Sequence, residues 1–163
     1  MAGLTRSRLS PRPPAGVAVG KPDGAPRAGA NRFVRAREAR QTEIAEDYVE
    51  LIADLIAGTG EARAADIARA LGVTQATVTN TVARLARDGL VTSQPYRSIF
   101  LTRRGQALAD WSRERHAIVR GFLLAIGVSP ETAEADSEGL EHHASAETLA
   151  ALKRLTKNLT KPR

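Results

Sequence analysis

Carboxylates and histidines cluster near the carboxyl-terminal end of the sequence, where residues 138–143 read EGLEHH. If this run is helical, Glu138, Glu141 and His142 share one face, because residues three and four positions apart are neighbours on a helix, whereas His143 points elsewhere. Carboxylate oxygens and imidazole nitrogens are ligands of divalent cations. The run therefore predicts one wall of a metal site.

Three more donors of the same kind lie earlier in the chain. Asp47 and Glu50 are three residues apart on a predicted helix, beside its apolar stripe, and His116 lies on a later, longer helix. If these helices converge with residues 138–142, four carboxylates and two imidazoles meet. Such a set cannot stay dry and unpaired, because like charges repel and desolvation is costly. Two divalent cations would neutralise the four carboxylates.

The types of donor limit the choice of metal. The 163 residues include no Cys, which excludes disulfides, thiolate-bound zinc, iron–sulfur clusters and thiol catalysis. Oxygen donors with imidazole favour Mn(II) or Fe(II) and tolerate Zn(II) or Co(II). The alternative is a solvated acidic face, since Glu43, Asp47, Glu50 and Asp54 all lie on one side of their helix. Spacing alone leaves both interpretations open.

A mainly α-helical fold with one small hairpin is predicted to position these donors. Apolar spacing indicates helices from Arg35 to Gly58, over 65–71, over 75–87 and over 103–126, then two helices capped by Ser129 and Ser145. Between the third and fourth helices, residues 90–93 and 98–101 form two short strands joined by a turn at 94–97. Helix, tight turn, helix and hairpin make a winged helix-turn-helix.

The third helix and the hairpin carry side chains suited to duplex DNA. Amide and hydroxyl groups on the exposed start of the helix can contact base edges, and basic groups can contact phosphates. The predicted DNA-binding residues are Gln75, Thr77, Thr79, Asn80 and Arg84 on the helix, and Tyr96 and Arg97 at the tip of the hairpin. Winged helices also bind proteins, but the positive charge of this module favours DNA.

Charge is distributed unevenly over the chain. The net charge is +6, with seven basic residues against three acidic ones in residues 61–105. Residues 1–35 are predicted to be a disordered basic tail, because their Pro, Gly and Ala content buries too little apolar surface to offset ordering entropy. Residues 1–16 make a poor secretory signal, and the sequence has no apolar run of membrane-spanning length, so we expect a cytoplasmic protein.

These motifs together resemble the manganese-responsive branch of the diphtheria-toxin-repressor family of metalloregulators. The resemblance covers about residues 43–155. Its carriers are Asp47-Tyr48-Val49-Glu50, the helix-turn-helix from Ile67 to Leu85, Tyr96-Arg97, Arg115-His116, Phe122-Leu123 with Ile126-Gly127-Val128, and residues 138–143. The iron-responsive branch has sulfur-bearing residues where this chain has Asp47 and Glu138, a substitution that favours manganese.

The resemblance implies a homodimeric repressor that binds manganese, with two ions per subunit, and then a palindromic operator. The implied ligands are Asp47, Glu50, His116, Glu138, Glu141 and His142. The implied architecture is a winged helix-turn-helix over residues 36–104, a small all-helical metal-binding and dimerisation domain over 105–158, and a short tail over 159–163. We do not expect the SH3-like domain of the iron branch in this protein.

Double-stranded DNA and a second copy of the chain are the expected partners, with neither a membrane nor a small-molecule substrate. Two alternatives remain open. A two-metal hydrolase would use the same donors, but no further base, nucleophile or phosphate-binding loop accompanies them. A metal-independent winged-helix regulator would retain operator binding after chelation.

Overall fold

The computed structural model describes residues 28–93 and 97–161, which form six helices and a two-stranded hairpin. The helices are α1 (Ala28–Thr59), α2 (Ala64–Leu71), α3 (Gln75–Arg87), α4 (Arg103–Ala125), α5 (Pro130–Leu140) and α6 (Ala146–Leu159). The strands are β1 (Val91–Thr92) and β2 (Phe100–Leu101). The predicted mainly α-helical fold is therefore confirmed.

Helix α1 begins earlier than the sequence pattern indicated. It starts at Ala28, so the predicted boundary of the disordered tail at residue 35 is wrong for residues 28–35, while residues 1–27 lie outside the described part of the chain. No proline follows Pro26 before this helix. Once the packed part of α1 has formed, each further turn adds hydrogen bonds without a new nucleation cost. The average composition of the tail concealed this extension.

Local capping signals set the ends of α2 and α3. Helix α2 ends at Gly72, whose φ of 66° is the left-handed conformation that favours glycine. At the start of α3 the Thr74 hydroxyl accepts a hydrogen bond from the backbone N–H of Thr77 at 3.2 Å. Val78, Val82 and Leu85 of α3 are buried, as their spacing predicted. These caps hold α2 and α3 as a helix-turn-helix.

The hairpin is shorter than predicted. Its two-residue strands pair antiparallel, Val91 with Leu101 and Thr92 with Phe100, and an isolated bridge joins Ala62 to Ile99. Each strand thus has two residues instead of the four that were predicted. Residues 94–96, which include Tyr96, lie outside the described residues.

Helix α4 connects the two halves of the molecule. It packs against α1 on one side and against α5 and α6 on the other. Its start approaches the hairpin closely, because a Cβ on Gly105 would lie 2.0 Å from the carbonyl oxygen of Leu90. Thr102 caps α4 by accepting from the Gly105 N–H at 3.1 Å, and its own hydroxyl donates to the carbonyl oxygen of Gly89 at 2.7 Å.

The aliphatic core lies among α1, α2, α3 and the hairpin. Val49 and Ile52 of α1 are fully buried there together with Ile67, Val78 and Leu85. The buried face of α4 is more polar, because it includes Ser112 and Arg115 beside Gly105, Ala109 and Val119. No helix within residues 28–93 or 97–161 is long and apolar enough to cross a membrane.

Candidate metal centre and nucleic-acid interface

Helices α1, α4 and α5 bring the predicted metal ligands to one region of the molecule. Asp47 and Glu50 come from α1, which packs against α4, His116 comes from the middle of α4, and Glu138 comes from the last turn of α5. The last two ligands were expected on that same helix, but α5 ends at Leu140. They reach the cluster from its C-cap and from the following turn.

The turn after α5 changes how this part of the site is built. Glu141 still has helical backbone angles, whereas His142 lies in a turn in which Leu140 O accepts from the N–H groups of His143 and Ala144. The prediction that Glu138, Glu141 and His142 share one helical face is therefore wrong in its geometry. His143, which was predicted to point away from these donors, is exposed.

His142 sits between two sets of carboxylates. Its Nδ1 lies 2.7 Å from Oε2 of Glu46, within hydrogen-bond distance. Its Nε2 faces the predicted ligands, 3.4 Å from Oδ1 of Asp47 and 3.8 Å from Oε1 of Glu141. The ring therefore presents one nitrogen to a buried partner and the other to the candidate metal ligands.

Glu46 is held in turn by Arg115 of α4. Arg115 Nη2 lies 2.6 Å from Glu46 Oε2, and both residues are buried. This contact is close enough for an ion pair, although the approach does not have hydrogen-bond geometry, and Nε of Arg115 has no hydrogen-bond partner within the described residues. The chain Arg115–Glu46–His142 joins α4, α1 and the turn after α5. Sequence reasoning did not assign Glu46 or Arg115 to the site.

His116 lies in a second, similar arrangement. Its Nδ1 is 2.8 Å from Oε2 of Glu141 and 3.7 Å from Oε1 of Glu138. Its Nε2 is 3.3 Å from Oε1 of Glu134 and 3.5 Å from the hydroxyl of Ser137. Glu134 was not among the predicted ligands, because it lies four residues before residues 138–143, in which the ligand spacing was recognised.

The two oxygens of Glu141 face different histidines. Oε1 lies 3.8 Å from His142 Nε2, and Oε2 lies 2.8 Å from His116 Nδ1. Glu141 is also 3.4 Å from the hydroxyl of Ser112 and is buried. A carboxylate placed in this way can serve two neighbouring cations. The predicted ligand Glu50 is half-buried, and its charge helps to raise the pKa of Glu141.

The electrostatics of the cluster disfavour its fully ionised carboxylates. Partial desolvation raises the pKa of Asp47, the charge of His142 opposes this shift, and the charges of Glu43, Glu46 and Glu138 add to it. Burial likewise raises the pKa of Glu141. Burial by itself would lower the pKa of His142, but the hydrogen bond and charge of Glu46 together with nearby acids raise it. A cation at this position would relieve the same repulsion.

The donor set fits a hard or borderline divalent cation. It supplies carboxylate oxygens and imidazole nitrogens without sulfur, the combination that suits Mn(II) or Fe(II) and tolerates Zn(II) or Co(II). Donor atoms of His116, Glu134 and Glu138 lie within 4.8 Å of one another. That group contains the predicted ligands His116 and Glu138 together with Glu134, which was not predicted.

The predicted DNA-binding face is open to solvent. The side chains at the start of α3 that were expected to contact bases are exposed, namely Gln75, Thr77, Thr79 and Asn80. Arg84 is half-buried and Arg97 is exposed. A groove between α3 and the hairpin is lined by Gln75, Thr79, Ser93, Arg97 and Phe100, among others. Tyr96, which was also predicted, lies outside the described residues.

Comparison with protein families matches both halves of the chain. The N-terminal DNA-binding domain of iron-dependent repressors matches residues 41–99. The metal-binding and dimerisation domain of the same repressors matches residues 102–162. The order of these domains agrees with the observed helix-turn-helix followed by α4, α5 and α6.

Several curated relatives share one name. The chain is 54% identical over 124 residues to the transcriptional regulator MntR of Escherichia coli O157:H7, which covers 76% of this chain and 80% of the relative. The MntR of Salmonella typhimurium is 55% identical over 119 residues, with 73% and 76% covered. The HTH-type transcriptional regulator MntR of Lysinibacillus sphaericus is 43% identical over 100 residues, with 61% and 72% covered.

Solved structures share the fold. The manganese regulator SloR superposes with a TM-score of 0.61 at 24% identity, over 69% of this chain and 53% of its own. A manganese-dependent transcriptional repressor in complex with manganese gives a TM-score of 0.60 at 25% identity, over 69% and 52%. This chain thus spans about half the length of those solved chains. With both domains matched and relatives above 50% identity, the chain belongs to the iron-dependent repressor family of transcriptional regulators, the family of the diphtheria-toxin repressor that its motifs indicated.

Proposed function

We propose that this protein is a manganese-dependent DNA-binding transcriptional regulator that represses genes for manganese uptake when Mn(II) is bound. Each subunit holds two ions through Asp47, Glu50, His116, Glu138, Glu141 and His142. The names of its relatives as transcriptional regulators support this function over the alternative of a two-metal hydrolase. The names of two solved structures refer to manganese, which supports that metal.

One observation carries the metal part of the proposal. Buried Glu141 faces both imidazoles, with His142 Nε2 at 3.8 Å from one oxygen and His116 Nδ1 at 2.8 Å from the other. Asp47 lies beside the first nitrogen and Glu138 beside the second. A shared carboxylate with a separate nitrogen and a separate acid on each side is suited to a pair of cations.

Metal binding would act on DNA binding through the position of α1. This helix belongs to the DNA-binding half, whereas Glu138, Glu141 and His142 belong to the other half. Without a cation, repulsion between the acids of α1 and those at the end of α5 loosens this contact. A cation that binds the closed arrangement more tightly shifts the population toward it, by no more than the difference in affinity between the two states.

A homodimer would place two recognition helices on one operator. The half that follows Arg103 exposes large apolar side chains, with Ile126, Leu140, Leu155 and Leu159 each about half exposed. The match of this half to a dimerisation domain, together with these exposed apolar side chains, supports contact with a second copy. Two-fold symmetry of the dimer then calls for a palindromic operator, with half-sites a helical turn or more apart.

The test is binding of the full chain to DNA from upstream of candidate manganese-transport genes. Binding is measured by fluorescence anisotropy first with EDTA and then with Mn(II), Fe(II) or Zn(II) at controlled free concentrations. The proposal expects binding only with metal, and strongest with manganese. Binding that is indifferent to EDTA would instead establish the alternative, a metal-independent regulator with an acidic surface.

Two variants assign the effect to the proposed ligands. Asp47→Asn and Glu138→Gln each remove one carboxylate from a different side of the site, and both are expected to weaken manganese-dependent binding. Glu131→Gln is the matched control, because it removes an exposed acid from the same helix as Glu138. If the control weakens binding as much as the ligand variants do, general loss of negative charge is responsible and the assignment of ligands fails.

A further inference from the structure

The two histidines of the metal centre have the same kind of partner on the side away from the candidate ligands. His142 Nδ1 lies 2.7 Å from Glu46, which Arg115 contacts at 2.6 Å. His116 Nε2 lies 3.3 Å from Glu134, whose other oxygen accepts a hydrogen bond from Nε of Arg120. Each imidazole therefore ends a chain that runs from arginine through glutamate to histidine.

The two chains use opposite ring nitrogens. Glu46 lies next to Nδ1 of His142, so that Nε2 of this ring faces Asp47 and Glu141. Glu134 lies next to Nε2 of His116, so that Nδ1 of this ring faces Glu141 and the neighbouring Glu138. In both cases the nitrogen without the arginine-held carboxylate is the one that points to the shared carboxylate of Glu141.

We propose that Glu134, held by Arg120, is a positioning residue of the metal centre: it accepts the Nε2–H of His116 and so presents Nδ1 to the cation. This role rests on the proposed metal site. An imidazole coordinates a metal through a nitrogen that carries no proton, while the other nitrogen keeps its hydrogen. Carboxylates that accept this second N–H fix both the tautomer and the orientation of the ring.

The surroundings of Glu134 suit positioning better than direct coordination. One of its oxygens is engaged by Arg120, whose positive charge would oppose a cation bound to the same carboxylate. Direct coordination is nevertheless the relevant competing role, because donor atoms of His116, Glu134 and Glu138 lie within 4.8 Å of one another.

The experiment determines which nitrogen of His116 binds the metal. The full chain is labelled with ¹⁵N in histidine and loaded with Zn(II), which is diamagnetic and accepts the same nitrogen and oxygen donors. Long-range ¹H–¹⁵N spectra are expected to show zinc on Nδ1 of His116 and a proton on Nε2. In Glu134→Ala that proton should exchange rapidly with water, whereas Glu134→Gln, whose amide oxygen can still accept, should retain it.

Manganese affinity is the second measurement, made from the free Mn(II) signal in electron paramagnetic resonance. Glu134→Ala is expected to bind Mn(II) about 10–100-fold more weakly with the number of bound ions unchanged. Glu131→Ala, which removes an exposed acid three residues earlier on the same helix, should change the affinity far less.

Three results would overturn the proposal. Zinc bound to Nε2 would reverse the assignment, loss of one bound ion in Glu134→Ala would make Glu134 a ligand, and an Nε2 proton that survives in Glu134→Ala would remove its positioning role. Failure of the proposed metal site has a different signature, since the wild-type protein would then bind metal with no change in the His116 signals.

Discussion

Removing the carboxylate of Glu46 is expected to destabilise the metal-free protein more than any exposed acid on the same helix does. Glu46 is only 4% exposed, and it contacts two cationic or donor groups, Nη2 of Arg115 at 2.6 Å and Nδ1 of His142 at 2.7 Å. In Glu46→Ala the guanidinium of Arg115, which is 7% exposed, loses its counter-ion while it remains buried. The variant thus leaves an uncompensated charge as well as an unpaired imidazole N–H.

The size of the effect follows from this geometry. Breaking a buried ion pair by deleting one partner costs about 3–5 kcal/mol. With a urea m-value of about 2 kcal/mol per molar, a loss of about 4 kcal/mol moves the unfolding midpoint down by about 2 M. Glu46→Gln keeps an acceptor oxygen but not the charge, so it should lower the free energy of unfolding less than Glu46→Ala does. Replacing both partners, as in Glu46→Leu with Arg115→Met, should recover much of the stability because no buried charge is left.

Urea denaturation in EDTA, followed by circular dichroism, measures these changes without a contribution from bound metal. The matched control is Glu38→Ala, an exposed acid on the same helix, for which a change within about 0.5 kcal/mol is expected. The reasoning is refuted if Glu46→Ala shifts the midpoint no more than Glu38→Ala does. It is also refuted if the double variant is less stable than Glu46→Ala, since the buried charge would then not be the cause.

Three further predictions concern glycine packing, pH and DNA contacts. Gly105→Ala should lower the free energy of unfolding by roughly 3 kcal/mol, because the added Cβ would lie 2.0 Å from the carbonyl oxygen of Leu90. Gly121→Ala on the same helix meets nothing within 4 Å and should raise the free energy of unfolding by about 0.5–1 kcal/mol. If helix propensity alone mattered, thermal unfolding would show no difference between the two variants. The pKa of His142 is raised above 6.5 in the folded state, so the stability that its protonation contributes is complete below pH 6.5 and is lost as pH rises through the folded pKa. The unfolding temperature of the metal-free wild type should therefore fall with rising pH more than that of His142→Gln. Equal slopes in the two proteins would contradict this assignment. Gln75→Ala, at the exposed start of α3, should weaken binding to the specific operator by about 1–3 kcal/mol at low salt and leave binding to non-specific DNA the same. An equal loss of affinity for operator and non-specific DNA in a titration would indicate a phosphate contact instead.

The sequence by itself determined the order of the helices, several of their caps and the chemistry of the donors. Caps are local, because a side chain three residues before an orphan N–H satisfies it, and Thr74, Ser129 and Ser145 all cap the helices at which they were expected. The absence of Cys and the presence of carboxylates near histidines likewise limit the metal without any knowledge of the fold. The order of a helix-turn-helix, a hairpin and further helices also follows from periodicity.

Tertiary structure decided which charged residues become buried and what they contact. Glu46 lies next to Asp47 in the sequence, yet one is buried against Arg115 and the other is exposed at 47% of its side chain. That difference depends on where α4 crosses α1, which local spacing does not encode.

The partners of the histidines are decided in the same way. His142 meets Glu46 across 96 positions of the chain, after α5 has already ended, and His116 meets Glu134 on another helix. Helical periodicity orders residues only within one helix, whereas the choice of ring nitrogen depends on side chains brought together from three elements. The sequence thus supplied the candidate ligands, and packing of α1, α4 and α5 decided how their side chains are oriented.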